Sequence, residues 1–132
     1  HLFKSHLLKT GIELPQFCLE QKGQEGLTDK FLNNDFYLLG WNQDPEELLD
    51  QKTLLRWQSM GGQKAIICDR FKKSINNGEQ LLIDKDKAYQ SLFKNGKRFV
   101  LIRPDKMMVL NVKTKDLIKS LNLYMNDIGC AA

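Results

Sequence analysis

The sequence is poor in the residues on which small redox and metal proteins depend. Its three cysteines, Cys18, Cys68 and Cys130, stand 50 and 62 residues apart, which excludes the Cys-x-x-Cys spacing of zinc knuckles and dithiol redox centres. Its two histidines, His1 and His6, both fall within the first ten residues, where a loop or tag remnant is expected rather than a general base. No apolar run approaches the roughly 20 residues that span a bilayer. No G-x-G-x-x-G is present to cradle a dinucleotide. These gaps predict a chain with no catalytic residue, no metal ligand and no cofactor-binding residue of its own, and no membrane partner.

What is present is ordinary globular material. The 132 residues are 42% apolar and 27% charged, enough for one domain that buries roughly two-thirds of its unfolded surface. The net charge of +4 comes from 20 Lys plus Arg against 16 Asp plus Glu, with the lysines scattered. The tightest group, Arg70, Lys72 and Lys73, reads as a solvated loop, so no nucleic-acid partner is expected. Widely spaced cysteines in odd number read as reduced thiols of a cytoplasmic protein. The chain starts at His1 rather than Met, and "HLFKSHLLKT" lacks the apolar centre and cleavage site of a signal peptide. Residues 1–10 are therefore expected to be a leader or remnant, with residues 11–132 forming a single domain.

Along that domain, "ELPQFCLEQKGQEG" breaks at Gly23 and Gly26 and reads as an irregular strand or hairpin. "LTDKFLNN" has the length of one helical turn. "FYLLGW", residues 36–41, and "KAIICD", residues 64–69, are buried strands, too short for helices. Between them Asp44 as N-cap, Pro45 at the first helical position and Glu46 and Glu47 at the positive dipole end predict a helix running to about Met60. Leu48, Leu54, Leu55, Trp57 and Met60 would form its apolar side, and Gly61-Gly62 its stop. Residues 70–80 are a polar loop around Asn76-Asn77-Gly78. A second helix is expected from Asp84 to about Asn95, with Ala88, Leu92 and Phe93 inward.

"FVLIRPDKMMVLNV", residues 99–112, is two apolar runs about an Arg-Pro-Asp-Lys turn, hence an antiparallel hairpin. The last helix, Thr114 to Ile128, places Leu117, Leu121, Tyr124 and Ile128 on one side and Lys115, Lys119, Asn122 and Asn126 toward water. The order is βαβαββα behind a β-rich lead-in. This makes an α/β chain with a central mixed sheet flanked by helices, the plan of the thioredoxin fold.

The segments from "GIELPQFCLEQKGQEGLTDKFLNNDFYLLGWN" to the V-L-I-R-P-D block at Val100–Asp105 resemble the thioredoxin-like C-terminal domain of FAD-dependent aromatic-ring monooxygenases, the phenol and chlorophenol hydroxylase group. The likeness spans roughly residues 11–128. It departs after the block, where the family continues with Gly and then Tyr and Trp but Lys106, Met107 and Leu110 stand here. The resemblance implies a non-catalytic domain with structural and subunit-association roles. FAD would sit in preceding domains of the same polypeptide, those domains would be its partners, and it would contribute to a homodimer.

A working thioredoxin keeps its nucleophilic cysteine at the helix entry after the first central strand; here that place is Trp41-Asn42-Gln43-Asp44-Pro45-Glu46. The usual cis-proline site falls near Lys97-Arg98. Both halves of the dithiol site are absent. Cys68, inside a strand, reads as a small buried residue, and a thiol enzyme using Cys68 or Cys130 is the weakest reading. Asp84 and Asp86, like Glu46 and Glu47, stand where helix starts favour acids and read as caps rather than acid/base catalysts. Trp41 and Trp57 read as core rather than as a ligand cleft. The alternative to an enzyme's C-terminal domain is a free-standing, redox-inactive thioredoxin-like adaptor that binds protein through a sheet edge or the Trp41–Pro45 region.

Overall fold

The computed structural model describes residues 12–70 and 81–129; His1, His6, the expected leader, Lys72, Lys73 and Cys130 lie outside the described residues. The lead-in is a hairpin of β1 (Cys18–Gln21) and β2 (Gln24–Leu27). Its two-residue loop, Lys22-Gly23, takes φ of 50° and 81°, the positive values that a tight hairpin turn demands of both central residues. One turn of helix, α1 (Thr28–Phe31), follows. The centre is β3 (Tyr37–Trp41), α2 (Gln51–Ser59) and β4 (Gln63–Cys68), then β5 (Leu81–Ile83). The end is β6 (Lys97–Ile102), β7 (Met108–Lys113) and α3 (Leu117–Asp127).

The described strands form one seven-stranded sheet in the order β2-β1-β5-β4-β3-β6-β7. β3, β4 and β5 run parallel, β6 opposes them, and β7, antiparallel to β6, runs in their direction again. The expected mixed sheet is thus present, with the Arg-Pro-Asp-Lys turn closing its last hairpin. In that turn Lys106 sits at φ 68°, where the family's glycine would be unstrained. Arg103 forks onto Asp105 across it and holds that carboxyl below the usual carboxylate range.

Each face of the sheet has its own core. On one, Leu38, Phe99, Leu101, Leu110 and Val112 meet Leu49, Trp57, Leu117, Leu121 and Met125 from beneath α2 and α3. On the other, Tyr37, Leu39, Ala65, Ile67, Val100 and Ile102 are covered by Leu14 and Leu19 of the lead-in and by Tyr89 and Phe93. The lead-in spans this second face, bonding to the β7 side through Leu14 N–H to Lys106 O and Met108 N–H to Ile12 O, both 2.9 Å. At the opposite edge β1 pairs with β5, and Lys85 clasps Glu20 at 2.5 Å.

Both middle helices differ from expectation. The one from Asp44 to Met60 is broken: a 3-10 turn, Pro45–Leu48, ends at Leu49, whose ψ of 139° is extended, and α2 starts afresh after Asp50. The break turns Leu49 into the core beside Trp57 and leaves Leu55 53% exposed. The helix expected from Asp84 to Asn95 is replaced, after β5 ends at Ile83, by a turn and a 3-10 segment, Ala88–Ser91. Asp84 is fully buried and accepts from Ala88 N–H at 3.1 Å and Tyr89 N–H at 2.7 Å. Lys87 is left-handed at φ 55°, which no continuing helix can contain.

The far side of α3 also departs from the expected solvated face. Arg56 of α2 donates to Asn122 Oδ1 at 3.0 Å and to Asn126 Oδ1, and Asn122 donates to Thr53 at 2.8 Å, so these asparagines join the two helices. Ile118 and Ile128, expected with the apolar stripe, are 38% and 43% exposed.

Two outcomes follow. Gly62 lies against the buried Trp57 ring, and a Cβ there would fall 2.2 Å from Cε2; Gly62→Ala should lower the urea unfolding free energy by about 1–3 kcal/mol. Tyr89, fully buried, shares a 2.6 Å bond with Thr28 and donates to Pro15 O, and desolvation pushes its phenol up to about 12. A phenol with a higher pKa folded than unfolded leaves stability untouched below pH 10 and erodes it as pH climbs toward 12. Alkaline titration of unfolding should therefore lose about 2–3 kcal/mol across that window, and Tyr89→Phe should flatten the loss.

Candidate functional site

In a parallel β-α-β arrangement the natural place for chemistry is the crevice beyond the carboxyl ends of the strands. Here that place is the loop leaving β3. Gly40 is required at its start, because a Cβ would fall 2.0 Å from the Gln43 carbonyl oxygen, so the chain folds back tightly on itself. Asn42 takes φ 57° and its N–H reaches Ile67 O at 2.8 Å, extending the β3–β4 ladder by one bond. Asp44, 7% exposed, caps the 3-10 turn through a 2.9 Å bond from Glu46 N–H. Its other oxygen takes Lys64 Nζ at 2.5 Å, with Glu46 at 3.6 Å from the same ammonium.

The position that would hold a thiolate is thus occupied by a carboxylate whose lone pairs are already in use. The loop from Trp41 to Glu46 contains no cysteine. Cys68 is fully buried among Ile66 and Leu81 at the end of β4. Cys18 is exposed on β1, on the far side of β5 and β4 from β3. Cys18 is thus remote from the β3 loop, whereas Cys68 follows Ile67, the residue whose carbonyl Asn42 reaches, and its side chain is buried.

The remaining sequence candidates separate cleanly. Trp57 is core. Trp41 stacks on Phe93, centroids 5.3 Å apart and planes 16° from parallel, and its carbonyl accepts from Arg98 at 3.3 Å. Arg98 thus spans the place where the cis-proline would face the thiol. Asp84 accepts from the Ala88 and Tyr89 N–H groups, although the N-cap of that segment is Lys87 and not Asp84. Beside the Lys64 pair lies an open groove of about 340 Å³ lined by Glu46, Gln58, Gly62, Gln63 and Lys64, a polar surface with no apolar floor for a small molecule. Among the described residues no group of His, Cys, Asp and Glu is arranged to hold a metal ion, and no helix is long and apolar enough to cross a membrane. Sequence reasoning missed Lys64, Arg98, Tyr89 and Arg56. For Lys64 a signal existed: a lone cation at the start of an otherwise apolar strand requires a partner.

Comparison with known proteins fits this geometry. The family model described as the HcaD C-terminal domain matches residues 11–126. Among solved structures the chain is similar to the flavin-dependent monooxygenase PieE, solved with FAD and substrate, at 16% identity and a TM-score of 0.63, over 88% of this chain and 19% of that one. It is similar to aklavinone-11 hydroxylase, solved with FAD and aklavinone, at 15% identity and a TM-score of 0.54, over 83% of this chain and 20% of that one. It is also similar to the thioredoxin domain of a thiol-disulfide oxidoreductase from Bacteroides vulgatus, at 15% identity and a TM-score of 0.56, over 89% and 98%. No curated protein matches. The chain therefore spans about a fifth of the two monooxygenases and nearly the whole of the thioredoxin domain, and the fold is thioredoxin-like. With 11–126 matched, the chain belongs to the HcaD C-terminal domain family, and its likeness to the thioredoxin-like C-terminal domains of FAD-dependent monooxygenases stands.

Proposed function

We propose that this chain is the non-catalytic C-terminal domain of an FAD-dependent aromatic hydroxylase, packing against the flavin-binding domains that precede it and contributing to subunit association in a cytoplasmic homodimer. The observation that carries the reading is the β3 loop, where Asp44 and Lys64 close on each other in the place a redox thioredoxin keeps its cysteine. The coverage of PieE and aklavinone-11 hydroxylase supports it, since each is about five times longer than the part matched. FAD belongs to the preceding domains: the β3 turn offers a carboxylate where a dinucleotide turn offers glycines and backbone N–H groups to a pyrophosphate.

The complete reading frame tests this. Its purified product should carry flavin absorbance and hydroxylate an aromatic substrate, while the 132-residue chain alone takes up no FAD. An initiator codon just before His1, with no flavin-binding segment upstream, would overturn the reading in favour of a free-standing adaptor. Within the chain, Lys64→Met strands the Asp44 carboxylate and should cost about 1–3 kcal/mol in urea unfolding. In the full-length enzyme the same substitution should leave kcat for hydroxylation within about twofold, because it does not touch the flavin.

A further inference from the structure

The lysines, scattered in sequence, are not scattered in space at one end of the sheet. β6 starts where β3 ends, and β7 ends beside the start of β6. Lys97 and Lys113 are direct cross-strand partners, a like-charge pairing that opposes the hairpin it sits in. Lys94 is joined to them by the turn in which Lys97 N–H reaches Lys94 O at 3.1 Å. The Lys113 stem lies along Gly96, 3.6 Å from where a Cβ would be. Arg98 is next on β6, bonded to the Trp41 carbonyl and to no carboxylate. Lys115 follows in the 3-10 turn Thr114–Asp116.

Four of these five cations are exposed and Lys97 is half-buried. Among the described residues none of the five forms an ion pair, whereas Lys64 and Lys85 each hold two carboxylates. The acid on the same turn, Asp116, is half-buried.

We infer that the rim formed by Lys94, Lys97, Arg98, Lys113 and Lys115 is a docking surface for an acidic protein face. An uncompensated like-charge pair is retained at a cost to the hairpin, and carboxylates from outside would relieve it. The five cations come from the adjacent ends of two neighbouring strands, whose axes stand about 5 Å apart, and from the turns that flank them; this fits a group of Asp and Glu better than a nucleic acid, which needs a longer track of cations and stacking aromatics. That the acidic face belongs to the preceding flavin-binding domains rests on the proposed function; the existence and sign of the surface do not.

The test therefore uses the chain itself, with a labelled oligoglutamate peptide and a single-stranded DNA of equal charge as probes. Fluorescence anisotropy should show salt-sensitive peptide binding that falls about tenfold or more in K94E/K97E/K113E. It should be unchanged in K22E/K52E/K87E, which makes the same charge change elsewhere. Amide shifts on peptide addition should concentrate at residues 94–98 and 113–115. Circular dichroism of each variant confirms that it is folded. Equal loss in both variants, shifts spread over the whole surface, or no binding would overturn the inference. Rim-dependent binding of DNA tighter than peptide would overturn it in favour of a nucleic acid. None of these results depends on whether the full-length protein carries FAD.

Discussion

The Asp44 carboxylate does three things at once, and the organisation of the domain's functional end depends on them. It caps the turn that follows β3, it anchors that turn to β4 through Lys64, and it places negative charge where the fold elsewhere lowers a thiol pKa. A buried carboxylate is tolerated only when its lone pairs are met, and here a backbone N–H and an ammonium meet them. The β3 loop is thereby tied to the start of β4 by a polar pair. Its surroundings follow suit: Trp41 stacks on Phe93, and Arg98 reaches the Trp41 carbonyl.

The second organising feature is the lead-in. It covers the sheet face that α2 and α3 leave bare, bonds to the β7 side near Met108 and pairs with β5 on the other side. Tyr89 pins it in the middle through Thr28 and Pro15. Beside these backbone bonds, the apolar contacts of Leu14, Phe17 and Leu19 with the sheet and this phenol hold the lead-in in place. That arrangement suits a domain that keeps a fixed shape beside larger neighbours.

Much of this was legible in the sequence, for physical reasons. β3, β4 and the β6–β7 hairpin are short apolar runs bounded by Gly, Pro, Asn or Asp, where length alone excludes a helix. α3 carries an apolar stripe, of which Leu117, Leu121, Tyr124 and Met125 are buried. Sequence reasoning failed where a local signal was overridden by a distant contact. Asp44-Pro45-Glu46-Glu47 is a sound helix start, but Leu49 gains more from entering the core beside Trp57 than from continuing the helix. Asp84 resembles an N-cap, yet a turn follows it and Lys87 in the left-handed region puts the start of the helical segment at Ala88. β5 has three residues, too few for any periodicity to show. The tie at the site, Asp44 to Lys64, and the tie between α2 and α3, Arg56 to Asn122, join residues 20 and 66 positions apart, so no local pattern identifies the partners.

The account's central claim is that this thioredoxin-like chain is a scaffold whose reaction centre has been replaced by an ion pair. The most direct measurement is reduction of insulin disulfides by the purified chain in dithiothreitol. The account predicts the rate of dithiothreitol alone at every protein concentration. A rate that rises in proportion to the chain and vanishes in Cys18→Ser or Cys68→Ser would contradict it.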